Sequence, residues 1–428
     1  MLNINSVQTH GTCDGVSRRD FLKVGSLAMG GLSLPQLLQA EKQASLGSSN
    51  KAVIMIYLAG GPTHHDTFDM KEEAPLDIRG EFRSIPTKAP GIRICELLPK
   101  IAGVMDKCSI IRSISDTVNS HSSFHVMTGK SQKGSQPAGG WPSIGSVVSK
   151  TLGRSGGTPA YLDLGGGIRG GGFLGTAYAG FKPSGQGRND MQLNGISTDR
   201  FDDRQRLLNC FDQLRRDIDS SGTVEGMDAF NQEAFDVIAS NKLLSALDYK
   251  KEDPKVIERY GSKNRNYLLA RRLVEAGSRF VTLSTGGWDT HGDNFNKCRK
   301  SLLPNLDQGV GTLVEDLSER GMLDDVTVVV WGEFGRTPRI NKNAGRDHWS
   351  RVMSVFMAGG GMNNGQVIGS SDRHGGEPSE RPVRLGEVFS TIYRNCGIDS
   401  STLQFDDLAG RPQYMVDPEC KPIKELVG

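Results

Sequence analysis

The sequence has no charge excess, no paired-cysteine motif and no long apolar run beyond its N-terminal segment, and each absence excludes a class of protein. Its 51 lysines and arginines nearly balance its 49 aspartates and glutamates, so no overall field attracts nucleic acid or an anionic membrane. None of its seven cysteines is spaced as Cys-x-x-Cys, which argues against a thiolate zinc site. No other stretch approaches the ~20 apolar residues of a membrane span. We therefore expect no nucleic-acid partner and no stable membrane span in the mature chain.

The N-terminal segment has the features of an export signal. Arg18 and Arg19 form a twin-arginine pair within "SRRDFLKVGSLAMGGLSLPQLLQA", which continues into a mildly apolar, glycine-containing stretch. The pattern is typical of a twin-arginine signal that is cleaved after Ala40, although an amphipathic first helix is an alternative. We expect residues 1–40 to engage the twin-arginine export machinery and residues 41–50 to form a polar spacer. The mature chain is then expected in the periplasm or at the cell surface, where one or two disulfides could form among its cysteines.

Apolar runs of strand type recur along the rest of the chain, and most of them close on glycine. They are "AVIMIYLAGG", "CSIIRSIS", "RFVTLSTGG", "VTVVVWGEFG" and "VMSVFMAGGG". Amphipathic stretches of helical type lie at roughly 201–220, 228–249, 254–277 and 293–320. This alternation predicts an α/β fold with a large, mostly parallel sheet and helices on both faces. Residues 51–428 are expected to form this domain, with a loop-rich insertion at about 153–200.

Histidines and carboxylates concentrate where the predicted strands end. Six of the eight histidines lie within a few residues of a predicted carboxyl end: His64, His65, His121, His125, His291 and His348. The accompanying carboxylates are Asp66, Asp289, Glu333 and Asp347. Because ligands bind beyond the carboxyl ends of parallel strands, we expect these side chains to converge. Imidazole and carboxylate together are suitable ligands for Zn²⁺, Mn²⁺ or Fe, so the pattern predicts a metal site.

Each of these residues also has a structural interpretation. Asp289 could cap a helix that begins near Asp293, and an aspartate at such a turn is more often a cap than a ligand. Asp66 could form an Asx-turn, and Glu333 could pair only with Arg336 in the same turn. The joint occurrence of such residues after almost every major strand favours the metal site over these separate explanations.

Four motifs, in this order, carry a resemblance to a known family. "GGPTHHDTFD", "GGWDTHGDNF", "GEFGRTP" and "GRDHW" resemble those of the bacterial family catalogued as domain of unknown function 1501, over the chain from about Lys51 to its C-terminus. That family is grouped with the alkaline phosphatase and sulfatase superfamily. The resemblance implies an alkaline phosphatase-like sheet, one or two metal ions at its strand ends, and hydrolysis of anionic phosphate or sulfate esters.

The resemblance also implies metal-binding roles for single residues. Asp66 would hold one ion, and Asp289, His291 and His348 would hold the other. Glu333 stands where the superfamily has an aspartate that a histidine follows. Here the following residue is Phe334, which cannot bind a metal, so the second ion lacks a nitrogen ligand unless one of four other histidines replaces it. These four are His64, His65, His121 and His125.

This chain also departs from the superfamily's pattern at the position of the nucleophile. In "NSHSSFHVMTGK" the matching position is Asn119, and an amide is not a nucleophile of this kind. Ser120, Ser122 or Ser123 could replace it after a shift of the loop, or a metal-bound hydroxide could attack directly. The "SHSS" stretch could equally do no more than start a helix. Arg336 would neutralise the ester, and Asp347 would bind the metal or orient His348.

Two functions therefore remain open at this level. The first is an exported, metal-dependent hydrolase of phosphate or sulfate esters, with Zn or Mn as the expected ion and Mg or Ca as further candidates. The second is a metal-binding, catalytically inactive binding or scaffold protein of the same fold. Asn119 and Phe334 favour the second function, whereas the surviving carboxylates and histidines favour the first.

Overall fold

The β-branched and aromatic runs of the sequence form the strands of a central seven-stranded sheet. The computed structural model describes residues 50–153, 157–165, 170–184 and 242–427. The strands are β1 (Ala52–Leu58), β2 (Ser84–Pro86), β3 (Arg93–Cys95), β4 (Cys108–Ile114), β5 (Tyr161–Asp163), β6 (Phe280–Thr285), β7 (Val326–Trp331), β8 (Gly335–Arg336), β9 (His348–Trp349), β10 (Met353–Gly359), β11 (Gln366–Ile368), β12 (Ser370–Ser371), β13 (Pro378–Glu380), β14 (Gln404–Asp406) and β15 (Pro412–Tyr414).

The central sheet has the strand order β11-β4-β10-β7-β1-β6-β5. Strand β1 pairs in parallel with β6 and β7, and β5 and β11 pair in parallel with β6 and β4. Only β10 among the seven is antiparallel to its neighbours, β4 and β7. Six strands therefore point the same way, and the predicted mostly parallel sheet is confirmed. The carboxyl ends of β1, β4, β6 and β7 meet at one edge, which we call the upper edge.

The direction of β10 corrects one detail of the sequence analysis. His348 was expected beyond the carboxyl end of a strand, but it lies in β9, before the first residue of β10. Because β10 runs against its neighbours, its amino end is at the upper edge and its glycine-rich end, at Gly359, is at the opposite edge. His348 still reaches the upper edge, but it does so on the way into a strand.

Helices cover both faces of the sheet. Alternate residues of β1 point to opposite sides: Ile54 and Ile56 belong to one apolar cluster, and Val53 and Met55 belong to the other. The helices are α1 (Leu76–Arg79), α2 (Pro99–Gly103), α3 (Phe124–Thr128), α4 (Ile144–Leu152), α5 (Lys242–Leu247), α6 (Pro254–Tyr260), α7 (Arg265–Glu275), α8 (Asn294–Lys297), α9 (Leu303–Glu319), α10 (Leu385–Asn395) and α11 (Lys424–Val427). Helices α2, α7 and α9 contribute to the first cluster, and α4 and α10 to the second, so the predicted two-faced cover is confirmed.

Some expectations fall wholly or partly on residues outside the described ranges. These are the export signal, most of the spacer, and the amphipathic stretches at 201–220 and 228–249, of which only residues from 242 onward are described. The described parts of the expected insertion contain β5, an edge strand of the sheet. The five cysteines in the described ranges are all free and buried. Within the same ranges, no helix combines the length and apolar character that crossing a membrane requires.

Candidate metal centre

Loops from neighbouring strands bring four side chains together above the middle of the upper edge. The loop after β4 carries His121, and the loop after β6 carries both Asp289 and His291. His348 arrives from β9, which pairs with β8 just after β7. These four residues are called the imidazole cluster below. Apart from Asp289 and His291, they are far apart in the chain, and the parallel arrangement of β4, β6 and β7 makes them neighbours.

The donor atoms of the imidazole cluster lie close to one another. Asp289 Oδ1 is 3.1 Å from His291 Nε2 and 3.3 Å from His348 Nε2, and these two nitrogens are 2.9 Å apart. Asp289 Oδ2 is 3.4 Å from His121 Nε2. Bonds of about 2.1 Å to a tetrahedral ion would place neighbouring ligand atoms roughly 3.4 Å apart. The spacings among Asp289, His291 and His348 are close to this value, and one ligand atom each of His121, Asp289 and His348 lies within 4.8 Å of the other two, so these side chains are spaced to share one cation.

Each imidazole of the cluster is held on its far side through Nδ1. The pairs are His121 Nδ1 with Glu333 Oε1 at 2.9 Å, His291 Nδ1 with Asp347 Oδ1 at 2.7 Å, and His348 Nδ1 with Asn119 Oδ1 at 3.1 Å. An ionised carboxylate only accepts hydrogen bonds, so a neutral His121 or His291 carries its proton on Nδ1. The lone pair on Nε2 then faces the cluster, as it does in metal-binding histidines that an outer carboxylate orients.

The electrostatic environment keeps the carboxylates charged. Partial burial alone would raise the pKa of Asp289, but the hydrogen bond and charge of Arg336 outweigh this effect and lower the pKa below its usual value. The hydrogen bond from His291 lowers the pKa of Asp347. Partial burial lowers the pKa of His348, although its hydrogen bond to Asp289 opposes that shift. At neutral pH the site therefore combines the ionised carboxylates of Asp289 and Asp347 with a neutral His348.

Glu333, which was expected to bind a metal, lies behind His121. Its carboxylate accepts hydrogen bonds from the backbone N–H groups of Gly60, at 2.9 Å, and Gly61, at 3.1 Å, in addition to the contact with His121. Burial, together with the charge and hydrogen bond of Glu333, raises the pKa of Tyr57. With only 2% of its side chain exposed, Glu333 is used to orient His121. Asp347 has the same relation to His291, whereas its exposed fraction is 53%.

The Gly60 turn should not tolerate a larger residue. Its φ of 118° is unfavourable for residues with a side chain, and a Cβ atom built there would lie 2.3 Å from the backbone nitrogen of Asp289. We expect Gly60→Ala to lower the free energy of unfolding by about 1–3 kcal/mol and to displace Asp289. Denaturant unfolding measures the first effect, and Zn²⁺ affinity measures the second. Gly91→Ala is the matched control, because Gly91 also has a positive φ but faces open space. Equal losses in both variants would contradict the close-contact argument.

Asp66 is not brought into the imidazole cluster. It is fully buried, and its two oxygens accept hydrogen bonds from Arg346 at 2.8 and 3.1 Å, from Thr63 at 2.9 Å and from Asn294 at 3.0 Å. Arg346 is also fully buried. A guanidinium thus occupies the place beside Asp66 that a cation was expected to take. Arg346 stands within "GRDHW" and was assigned no role from the sequence, although a permanently charged residue next to Asp347 was a usable signal.

Arg336, which was expected to contact an ester, is directed into the protein. Its guanidinium is fully buried and donates to the carbonyl oxygens of Gly60, Gly61, Trp288 and Arg346, and to Asp289 Oδ1 at 2.5 Å. These bonds hold the loops after β1, β6 and β7 against one another. The side chain therefore fixes Asp289 and leaves no donor turned toward solvent.

The serines expected as nucleophiles take part in the local turn. Ser120 Oγ accepts a bond from the backbone nitrogen of Ser122 at 3.4 Å, and Ser122 Oγ accepts one from that of Phe124 at 3.3 Å. This geometry is that of a turn leading into α3, which was the structural alternative. Asn119, at the matching nucleophile position, instead hydrogen-bonds to His348. Its role as the outer partner of a histidine was missed, because a contact across 229 residues leaves no local signal.

Of the four histidines considered as replacement ligands, only His121 joins the cluster. Phe334 packs its ring 4.5 Å from the ring of His348 and 5.2 Å from that of His121, measured between centroids. His125 lies in α3 and interacts with Asp116. His64 and His65 are buried and contact the carbonyl oxygens of Gly375 and His374.

The buried pair His64 and His65 should make the fold sensitive to acid. Burial lowers the pKa of both imidazoles. Below the unfolded pKa of about 6.5, the unfolded chain binds protons that the folded chain does not, so stability present at pH 7 is lost as the pH falls. Each group should contribute up to about 1.4 kcal/mol per pH unit until its folded-state pKa is reached. Urea unfolding between pH 7.5 and 5 should show a shallower decline for His65→Gln than for His374→Gln. Equal slopes would rule out His65 as a source.

Comparison with known proteins gives a family and several structural neighbours. The chain matches the family DUF1501, described as a protein of unknown function, over residues 50–427. It is similar to the PsFucS1 sulfatase from Pseudoalteromonas sp., with 13% sequence identity, a TM-score of 0.36, and coverage of 84% of this chain and 70% of that chain. It is also similar to the lipoteichoic acid synthase LtaP from Listeria monocytogenes, with 10% identity, a TM-score of 0.36, and coverage of 89% and 80% respectively. No curated protein sequence matches it.

Proposed function

This chain belongs to the DUF1501 family, and we propose that it binds a divalent cation through the imidazole cluster and hydrolyses anionic esters of phosphate or sulfate. The predicted family is confirmed by the match over residues 50–427. We infer the activity from the chemistry of the cluster and from its place at the upper edge of a mostly parallel sheet. Export to the periplasm or cell surface remains part of the proposal.

The proposal rests on one observation, the close approach of two imidazole nitrogens beside a carboxylate oxygen. His291 Nε2 and His348 Nε2 are 2.9 Å apart, and Asp347 and Asn119 accept at the Nδ1 atoms of the two rings. When both rings are neutral and carry their protons on Nδ1, the two Nε2 lone pairs repel each other at this distance, and Asp289 Oδ1 adds a negative charge 3.1 and 3.3 Å away. A cation at their common centre would turn these repulsions into attraction. The arrangement therefore fits a bound metal ion.

The ligand set favours a transition metal. Three imidazole nitrogens and one carboxylate suit Zn²⁺ or Mn²⁺, whereas Mg²⁺ and Ca²⁺ prefer shells made only of oxygen. A divalent cation bound there would act as a Lewis acid that stabilises negative charge on the attacking and leaving oxygens of an ester.

The residues of the cluster leave room for a substrate and for water. The side chains of His121, Asp289 and His291 are 43%, 45% and 45% exposed, so an ester can approach from solvent. Because Ser120 and Ser122 take part in the local turn, we assign the attack to water: its oxygen bonds to phosphorus or sulfur as the ester oxygen departs with a proton. Glu333 and Asp347 keep the imidazoles oriented throughout.

A second function remains, and Asn119 is the observation that favours it. The residue at the nucleophile position serves as the outer partner of His348, so the chain could bind a cation without turning over a substrate. This alternative predicts metal binding with no hydrolysis.

Turnover by the purified full chain decides between the two. The protein is loaded with Zn²⁺, Mn²⁺, Mg²⁺ or Ca²⁺ and offered an aryl phosphate, an aryl phosphodiester and an aryl sulfate. We expect hydrolysis of at least one substrate by the wild type and by the control His374→Ala, and none by His291→Ala. Metal binding with equal background rates in all three proteins would favour the binding function and reject the hydrolase.

Replacing Glu333 by glutamine should weaken cation binding without removing it. The amide nitrogen of glutamine cannot accept the bonds that the Gly60 and Gly61 N–H groups donate, so His121 loses part of its fixed orientation. Outer partners of this kind typically contribute 10–100-fold to metal affinity, and we expect a loss of about that size. A Zn²⁺ titration against a competing chelator measures it. Glu377→Gln, at an exposed carboxylate, should leave the affinity unchanged, and an unchanged affinity in Glu333→Gln would contradict the orienting role.

A further inference from the structure

The carboxylate of Asp66 is engaged by donors of the protein itself. It accepts four hydrogen bonds: two from Arg346 and one each from Thr63 and Asn294. Three of these bonds reach Oδ2 and one reaches Oδ1, so both oxygens are engaged by donors of the protein itself. Asp66 and Arg346 are both fully buried and neutralise each other. A cation at Asp66 would have to displace a paired guanidinium from the protein interior.

The guanidinium of Arg346 is fixed as completely as the carboxylate. Besides its bonds to Asp66, it donates to the carbonyl oxygens of Ile78 at 2.8 Å and Thr337 at 3.2 Å, and to that of Pro338. These contacts account for all five N–H groups of the side chain. Its own backbone belongs to the metal-binding region, because the Arg346 carbonyl accepts from Arg336 at 2.9 Å and its amide donates to Thr290. Arg346 is thus a permanent, buried positive charge next to the proposed metal site.

The charges around the imidazole cluster balance one divalent cation. At formal charges, Asp289, Glu333 and Asp347 carry three negative charges, and Arg336 carries one positive charge. With neutral imidazoles the group is doubly negative, so one divalent cation makes it neutral. A second cation would leave the site with two excess positive charges, and Phe334 packs against His121 and His348 where a further nitrogen ligand was expected.

We propose that the site holds one divalent cation per chain, in the imidazole cluster, and that Arg346 provides the positive charge that a second cation would otherwise bring to Asp66. The inference rests on the proposed metal binding and adds the number of ions and the role of Arg346. The positive charge beside Asp66 is then that of a side chain, which cannot dissociate, and not that of an exchangeable metal ion.

The number of bound ions tests the first half. The full chain is saturated with Zn²⁺, freed of excess metal, and analysed by native mass spectrometry and by elemental analysis. We expect one ion per chain, with the same count for Mn²⁺. Two tightly bound ions would overturn this inference while leaving the proposed function in place. A count of zero would overturn the proposed function and this inference together.

The location of the ion tests the second half. Asp66→Asn should still bind one ion, with a dissociation constant within about threefold of the wild-type value, whereas His291→Ala should lose at least about 100-fold in affinity. If Asp66→Asn does not fold, the double variant Asp66→Asn with Arg346→Gln removes both charges and allows the same measurement. Loss of the ion from folded Asp66→Asn, or from the folded double variant, would overturn the proposal. Retention of one ion supports it.

Discussion

Replacing His348 by alanine is expected to abolish hydrolysis and to reduce Zn²⁺ affinity by more than about 100-fold, which exceeds the usual loss of an outer partner. The ring lies at the centre of the cluster, where its Nε2 atom is 2.9 Å from His291 Nε2 and 3.3 Å from Asp289 Oδ1. Without this nitrogen, the remaining close contacts between ligand atoms are those of Asp289 with His291 and of Asp289 with His121. Isothermal titration with Zn²⁺, followed by an assay on the ester that the wild type hydrolyses best, measures both losses.

The control must separate the loss of a ligand from the loss of a folded loop. His374→Ala replaces a histidine outside the cluster and should keep both affinity and rate. The far-UV circular dichroism of His348→Ala should equal that of the wild type, because only a partly exposed ring is removed. A folded His348→Ala protein with unchanged affinity would show that this nitrogen does not hold the ion.

The largest expected loss of stability follows from Asp66→Asn. The substitution preserves the shape of the side chain but leaves the guanidinium of Arg346 charged, buried and without its carboxylate. Breaking one partner of a buried pair typically costs about 3–5 kcal/mol, because the remaining charge has no water around it. We expect a loss of that size in the free energy of unfolding, measured by guanidinium denaturation.

An exposed pair provides the comparison. Arg351 and Glu377 form an ion pair at the surface, where their side chains are 63% and 55% exposed. Such pairs contribute about 0–1 kcal/mol, so Glu377→Gln should unfold almost as the wild type does. If Asp66→Asn and Glu377→Gln lowered the free energy of unfolding by the same small amount, the buried Asp66–Arg346 pair would not stabilise the loops as proposed.

Much of the fold could be predicted from local pattern. The run "AVIMIYLAGG" became β1, and "VTVVVWGEFG" became β7, because a continuous apolar run of β-branched residues is stable only when both faces are covered. The direction of β10 could not be predicted in this way, since a buried run reads the same in either direction. The predicted stretch at 293–320 contains two α-helices with a π-helical turn at Cys298–Leu302 between them. Pro304 follows this turn and cannot donate a helical hydrogen bond, which periodicity alone did not reveal.

The candidate site was also predicted only in part from the sequence. Asp289, His291 and His348 were expected to share one ion, and their side chains lie together. Asp66 and Arg336 were chosen for chemistry that their residue types allow, yet Asp66 forms a fully buried ion pair with Arg346, and the buried Arg336 pairs with the partly exposed Asp289. Glu333 and Asp347 lie behind the histidines. A motif identifies which residues are present, but it does not state whether a carboxylate faces an imidazole, a guanidinium or the open cluster.

The sequence by itself determined the alternation of strands and helices, the family, and the presence of carboxylates and imidazoles after successive strands. These follow from periodicity and residue type, which are local properties of the chain. Only the tertiary structure decided that Arg346 neutralises Asp66, that Asn119 orients His348, and that a strand of reversed direction delivers His348 to the same edge as Asp289. The reason is that hydrogen bonds and charges act over a few ångströms in space, whereas these partners are separated by 59 to 280 residues along the chain.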